Sequence, residues 1–157
     1  MNQTNIIKLI VSIALPLLVG GVAGVFTAEA IPEWYASLNQ PSFNPPNWVF
    51  GPVWTTLYII MGVSFFMVWR IEKSEVRNRA FAAFFIQLFL NFLWSFFFFY
   101  LKNIGLALSE IILLWVSIAV MIYTFYRVKP VLAYTNIPYL LWVSFATALN
   151  AAYFSLN

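Results

Sequence analysis

The stretch "NQPSFNPPNWVFGPVWTTLY", residues 39–58, contains four prolines and two tryptophans and stands between long apolar runs. Proline fixes φ and lacks a backbone N–H, so the chain before Pro52 is not expected to form one regular helix. Repeated prolines also lower the entropy cost of holding one loop conformation. The stretch therefore predicts a stiff connection between two apolar helices, and this connection carries large aromatic side chains.

Composition assigns the whole chain to a membrane. Of 157 residues, 63% are hydrophobic and 8% are charged, a proportion too low to cover a soluble surface. Continuous apolar runs, in place of alternation, favour helices over a β-barrel. The absence of cysteine and histidine excludes disulfides, thiolate chemistry, histidine-based metal sites and serine–histidine triads. No metal site is predicted, and the dispersed net charge of +3 does not indicate a nucleic-acid surface.

The sequence predicts an all-α integral membrane protein with one domain, 1–157, built as a bundle of five transmembrane helices. A span needs about 20 mostly apolar residues. The five predicted spans are 6–28, 52–69, 80–101, 104–126 and 136–156. A long structured loop, 29–51, joins the first two spans, and the other connections are short, which favours antiparallel neighbours.

Basic residues predict the orientation of the bundle. With five spans, seven of the eight basic residues fall on one side, and only Lys102 falls on the other. Because basic loops stay in the cytoplasm, we expect a cytoplasmic amino terminus and an external carboxyl terminus. This arrangement places the 29–51 loop on the outer face, and a bacterial cell membrane is the expected location. The seven residues of the basic side are Lys8, Arg70, Lys73, Arg77, Arg79, Arg127 and Lys129.

Aromatic residues of the loop have two interpretations. Trp34, Tyr35 and Trp48 are typical of the belt that tryptophan and tyrosine form at a membrane surface. A belt does not require the neighbouring prolines, however, and exposed aromatic groups would form an apolar patch. We therefore favour a lid in which these side chains fold over the mouth of the bundle.

Three spans carry polar, aromatic or small residues at a spacing of four, which places each row on one helical face. The rows are Gln87, Asn91 and Ser95; Trp54, Tyr58 and Gly62; and Trp142, Ala146 and Asn150. Amides and small residues commonly hold membrane helices together, and this interpretation suffices for Gln87 and Asn150. Together with Trp94, the remaining aromatic and amide groups favour a slot for a flat apolar molecule.

Other features keep two interpretations each. The Gly20-x-x-x-Gly24 spacing is typical of close helix packing, either at a homodimer contact or within one chain. Glu110 is predicted to be a proton or ligand site, or an interfacial acid paired with Lys102.

Three segments resemble the tryptophan-rich sensory protein and translocator protein family, also called TspO/MBR or the peripheral benzodiazepine receptor family. They are "WYASLNQPSFNPPNWVFGPVWTTLYIIMG" (34–62), "QLFLNFLWSFFFF" (87–99) and "PYLLWVSFATALN" (138–150). The likeness extends over nearly the whole chain. The end of the fifth span, "AAYFSLN", lacks the basic residue that completes the sterol-recognition pattern of animal members, so cholesterol binding is not expected.

The resemblance implies a five-helix bundle, often a homodimer, that binds protoporphyrin IX, haem and benzodiazepine-type ligands beneath its first loop. No obligatory cofactor is implied, because the porphyrin is a ligand. The residues that match the family's ligand-contact positions are Trp34, Tyr35, Trp54, Tyr58, Asn91, Trp94, Ser95, Trp142 and Ala146. A receptor or sensor for tetrapyrroles is the favoured function. A transporter of amphipathic solutes is one alternative, and light-dependent porphyrin breakdown at Trp54 and Trp142 is another.

Overall fold

A computed structural model, which describes residues 3–157, shows a helical bundle with five segments long and apolar enough to cross a membrane. No strand occurs within these residues, so the predicted all-α membrane fold is confirmed. The helices are α1 (Gln3–Ala30), α2 (Phe50–Trp69), α3 (Glu75–Ser95), α4 (Ile104–Val128), the short α5 (Pro130–Tyr134) and α6 (Ile137–Leu156).

The first helix is longer than predicted, and the loop is shorter. α1 begins at Gln3 and continues as a π-helical turn, Ile31–Tyr35, so the predicted end at residue 28 is too early. Pro32 does not stop the helix, and its missing N–H coincides with the change from α-helical to π-helical geometry. The irregular connection is confined to 38–46, which contains Pro41, Pro45 and Pro46. A 3₁₀ turn, Asn47–Val49, leads into α2.

The start of α3 also differs from the prediction. α3 begins at Glu75, five residues before the predicted start of the third span, because Ser74 accepts a hydrogen bond from the backbone N–H of Arg77 at 3.2 Å. This first turn is polar, so hydropathy alone does not detect it. α6 matches the predicted fifth span, 136–156, to within one residue, and the short α5 lies before it; each has a proline in its first turn. At the other end of α3, a second π-helical turn, Phe96–Tyr100, extends the helix.

The two ends of the bundle differ in packing. We call the end of the bundle that holds the seven basic residues the basic end. Near it, the rings of Phe65 and Phe84 stack with centroids 4.0 Å apart and planes 7° from parallel. Met61, Met121 and Phe125 are fully buried beside them. This half of the bundle is a close-packed core, whereas the opposite half, beneath the loop, contains a cavity.

The contact between α1 and α2 depends on one glycine. A Cβ atom added at Gly62 would lie 2.7 Å from the carbonyl oxygen of Ser12 and 2.8 Å from the Cα of Ile13. These are backbone atoms of α1, which a side-chain rotation does not move. The two helices therefore approach each other at a distance that only glycine permits at this position.

We predict that Gly62→Ala destabilises the bundle by about 1–3 kcal/mol, the usual cost of an overpacked interior. This cost exceeds the gain of about 0.5–1 kcal/mol that alanine brings to a helix. Gly21→Ala is the control, because a Cβ atom there meets no heavy atom within 4 Å. Thermal unfolding in detergent measures the difference. Equal unfolding midpoints for the two variants would contradict the close contact.

Candidate functional site

A cavity of about 450 Å³ lies beneath the loop, between α1, α2, α3 and α6. Its volume falls within the range of about 300–1,000 Å³ that is usual for small-molecule sites. Most of its lining is apolar or aromatic, and no lining residue is charged. The cavity therefore suits a molecule with a large apolar body, whose charged groups would have to reach the exterior.

A buried hydrogen-bond network forms the floor of the cavity. The hydroxyl of Tyr58 donates to Asn91 Oδ1 at 2.7 Å, and Asn91 Nδ2 donates to the hydroxyl of Tyr139 at 3.0 Å. The Tyr139 hydroxyl in turn donates to Gln87 Oε1 at 2.9 Å. Each of these side chains is buried, and together they join α2, α3 and α6. Because every donor finds an acceptor, the floor is rigid and needs no water to satisfy it.

Aromatic rings form two walls, and small residues form a third. On α2, the rings of Trp54 and Tyr58 stack with centroids 5.5 Å apart, and Trp94 stacks on Phe98 at the end of α3 at 5.4 Å. The facing part of α1 has little side-chain bulk. Its lining residues include Gly20, Gly21, Ala23, Gly24 and Ala28. The missing side chains on α1 leave the space that the rings on the other helices surround.

The indoles of Trp94 on α3 and Trp142 on α6 differ in their hydrogen bonding. Trp94 Nε1 donates to Asn150 Oδ1 at 3.0 Å, and Asn150 Nδ2 donates to the carbonyl oxygen of Ile104 at 3.1 Å. Trp142 Nε1 is buried and has no acceptor among residues 3–157. A buried indole N–H without a partner costs free energy, which a ligand acceptor would recover. Trp142 is thus both a cavity wall and a free donor.

The loop closes over the cavity through paired hydroxyl and amide groups. Tyr153 near the end of α6 donates to the Tyr35 hydroxyl at 2.8 Å, and Tyr35 donates to Asn44 Oδ1 at 3.1 Å. Farther along, the backbone N–H of Asn39 donates to Asn157 Oδ1 at 2.8 Å, and Asn157 Nδ2 donates back to the Asn39 carbonyl at 3.2 Å. These bonds attach the loop to the end of α6.

Eight of the nine predicted ligand-binding residues line this one cavity, including the catalytic candidates Trp54 and Trp142. The eight are Tyr35, Trp54, Tyr58, Asn91, Trp94, Ser95, Trp142 and Ala146. Trp34 does not line it, and its ring instead packs edge-on against Phe98, with 5.5 Å between the centroids. A role in ligand binding stays a prediction for all nine.

One prediction about the loop needs correction, and one about α1 stays open. Trp48 is 75% exposed and does not reach the cavity, so the belt interpretation fits it better than the lid. Gly20 and Gly24 both line the cavity, and Gly24 is exposed. A Cβ atom at Gly20 would lie 2.1 Å from the Tyr58 ring, so Gly20 makes a close contact within the chain. The homodimer, with Gly20 and Gly24 as its possible contact, stays a prediction.

The pairing proposed for Glu110 is also wrong. Its side chain is buried, and neither carboxylate oxygen accepts a hydrogen bond from any residue in 3–157, whereas Lys102 is exposed. Glu110 does not line the cavity. The interpretation as a buried functional acid stays a hypothesis.

Several lining residues were not predicted. Asn150 had been assigned to helix packing alone, yet it lines the cavity and accepts from Trp94. Tyr153 continues the α6 row by three residues beyond Asn150, a helical spacing that could have identified it. The small residues of α1 gave no such signal, because glycines in an apolar helix equally indicate a contact with another helix.

The comparisons with known proteins agree with this architecture. Residues 12–156 match the sequence profile described as the TspO/MBR family. The chain belongs to the TspO/MBR family. It is 42% identical over 98% of its length to a tryptophan-rich protein TspO of Archaeoglobus fulgidus, covering 99% of that protein. It is 39% identical to the human translocator protein over 75% of the chain and 71% of the relative, and 34% identical to protein CrtK of Rhodobacter capsulatus over 88% and 85%.

Membership of the TspO/MBR family confirms the resemblance seen in the three sequence blocks. It also supports an integral membrane protein with a sensor or receptor role. Which face of the bundle is cytoplasmic stays a prediction from the basic residues.

We predict that Tyr139→Phe destabilises this TspO/MBR protein by about 1–3 kcal/mol, because it leaves two buried amide atoms, Asn91 Nδ2 and Gln87 Oε1, without a partner. Tyr134→Phe is the matched control, since that tyrosine is 60% exposed and makes no hydrogen bond through its hydroxyl. Thermal unfolding in detergent compares the two. A Tyr139→Phe midpoint equal to that of the control would show that the network adds nothing to stability.

Proposed function

We propose that the chain is a membrane receptor for porphyrins, such as protoporphyrin IX and haem, and for related flat hydrophobic molecules, in tetrapyrrole regulation or a stress response. The observation that carries the proposal is the cavity beneath the loop, which is walled by stacked indole and phenol rings. Family membership supports the receptor role, and the chemistry of the cavity supports the class of ligand.

The shape of the walls favours a planar ring system. Aromatic side chains prefer offset or edge-to-face contacts with other rings, and such contacts contribute about 0.5–1.5 kcal/mol each beyond the area they bury. Trp54, Trp94 and Trp142 offer ring surface from three different helices. The glycine wall of α1 leaves room for a ring plane that larger side chains would occupy.

The polar groups suit a ligand whose polar atoms lie at its edge. Trp142 Nε1 offers one unpaired donor within the wall. Asn47 and Thr55 line the cavity where it is exposed, and both suit hydrogen bonding to polar substituents near the exterior. Because no lining residue is charged, the carboxylates of a porphyrin are expected to lie at the opening, in contact with water or lipid headgroups.

The available groups argue against iron as the basis of recognition. The chain has no histidine and no cysteine, and no methionine among residues 3–157 lines the cavity. Tyrosine is the only lining residue type that commonly binds haem iron. The three lining tyrosine hydroxyls, however, are engaged with Asn91, Asn44 or each other. Ring contacts and the Trp142 donor are therefore expected to supply most of the affinity.

We predict that Trp142→Ala weakens protoporphyrin IX binding about tenfold, since it removes a ring contact and a hydrogen-bond donor. Trp142→Phe keeps a ring without the donor, and we expect an intermediate loss. The measurement is a titration of purified protein in detergent, followed by the porphyrin absorption band.

The control for this titration is Trp48→Ala, because Trp48 is exposed and lies outside the cavity. Thermal unfolding of each variant distinguishes lost contacts from lost structure. If folded Trp142→Ala bound the porphyrin as tightly as Trp48→Ala, the cavity would not be the porphyrin site.

We also predict that protoporphyrin IX and its iron complex bind with affinities within about threefold of each other. A bond from the protein to iron would increase the affinity of the iron complex by much more than threefold, and no such bond is expected here. Parallel titrations with the two compounds measure the ratio. A requirement for iron would refute recognition by ring contacts.

A further inference from the structure

The basic end of the bundle has an excess of positive charge that the chain itself does not neutralise. Seven basic residues lie there, against two acids, Glu72 and Glu75. One ion pair forms among the described residues, between Arg79 and Glu75 within the first turn of α3. Other cations at this end instead lie over aromatic rings, with Lys8 above Trp69 and Arg70 above Phe66.

Arg77 differs from the other cations because it is buried. Only 9% of the residue is exposed, and its guanidinium carbon lies 4.4 Å from the centroid of the Phe81 ring. Its Nε is buried and has no acceptor among residues 3–157. No carboxylate of the described chain pairs with it. The Phe81 ring and the surrounding protein thus hold the guanidinium in place without an anion.

An unpaired buried cation is costly, and an anion that completes its hydrogen bonds recovers this cost. The planar fork of a guanidinium matches two oxygens of a phosphate or carboxylate, and such charge-assisted bonds are stronger than neutral ones. Arg79, two residues farther along α3, shows the ordinary alternative. Its side chain is 71% exposed and already has Glu75 as its partner.

The position of Arg77 indicates the kind of anion. It lies in the first turn of a membrane-spanning helix, so it is at the level where the chain leaves the apolar part of a bilayer and meets lipid headgroups. Basic clusters at this level attract anionic lipids. We propose that Arg77 forms the base of a binding site for the phosphate of an anionic phospholipid, such as phosphatidylglycerol, and that the surrounding basic residues select against lipids with a cationic headgroup. The site is at the opposite end of the bundle from the cavity and does not depend on the proposed porphyrin function.

Native mass spectrometry of the purified protein tests the proposal by counting phosphatidylglycerol molecules retained at increasing lipid concentration. Arg77→Met is expected to weaken retention about tenfold, the effect of losing a charge-assisted pair of hydrogen bonds, and Arg77→Lys less, because it keeps the charge without the fork. Arg79→Met is the matched control and is expected to change retention less than twofold. Phosphatidylcholine, whose zwitterionic headgroup carries a cationic choline beyond its phosphate, is expected to bind weakly to every variant.

Thermal unfolding gives a second measurement, and its expected result differs from the result of a purely structural role for Arg77. In phosphatidylcholine alone, Arg77→Met is expected to unfold at or above the wild-type temperature, because it removes an unpaired buried charge. Added phosphatidylglycerol is then expected to stabilise the wild type more than Arg77→Met.

Equal retention of phosphatidylglycerol by Arg77→Met and Arg79→Met would overturn the proposal. Stabilisation by inorganic phosphate alone, if it depended on Arg77 and equalled the effect of the lipid, would overturn the lipid assignment. Protoporphyrin IX affinity is expected to be the same in wild type and Arg77→Met.

Discussion

A buried hydrogen-bond network is the constraint on which the half of the bundle beneath the loop depends. It consists of Tyr58, Asn91, Tyr139 and Gln87. Polar groups in a membrane interior are costly unless they find partners, and these four satisfy one another across three helices. The network sets where α2, α3 and α6 stand relative to each other. It also separates the close-packed core at the basic end from the cavity above it.

The cavity persists because its walls resist collapse. On one side, α1 carries glycine and alanine where larger residues would fill the space. On the other sides, stacked pairs such as Trp54 on Tyr58 and Trp94 on Phe98 hold their rings against one another. At the other end of the same helix pair, Gly62 allows α1 and α2 to touch through their backbones. Small residues thus have opposite effects at the two levels: close contact near the basic end and empty space beneath the loop.

The two ends of the molecule also differ in their electrostatics. The cavity end has no charged lining residue, and its polar groups are hydroxyls, amides and one free indole N–H. The basic end holds seven cations, of which Arg77 is buried without an anion. An apolar ligand and an anionic headgroup therefore suit different ends of the same bundle, and nothing in their chemistry makes them compete.

The sequence by itself determined the membrane class, the number of spans and eight of the residues that line the cavity. Apolar length and the four-residue spacing of Trp54 and Tyr58, or of Asn91 and Ser95, are local properties that a helix converts directly into a shared face. Only the tertiary structure decided whether a residue faces the cavity, another helix or the exterior. Gly20 packs against Tyr58 of its own chain, and Trp48 is exposed although other loop residues close the cavity. The helix boundaries at Tyr35 and Glu75 likewise depend on capping and π-helical geometry that hydropathy does not measure. The physical reason is that periodicity defines a direction around one helix axis, whereas the partner in that direction depends on how all five helices pack.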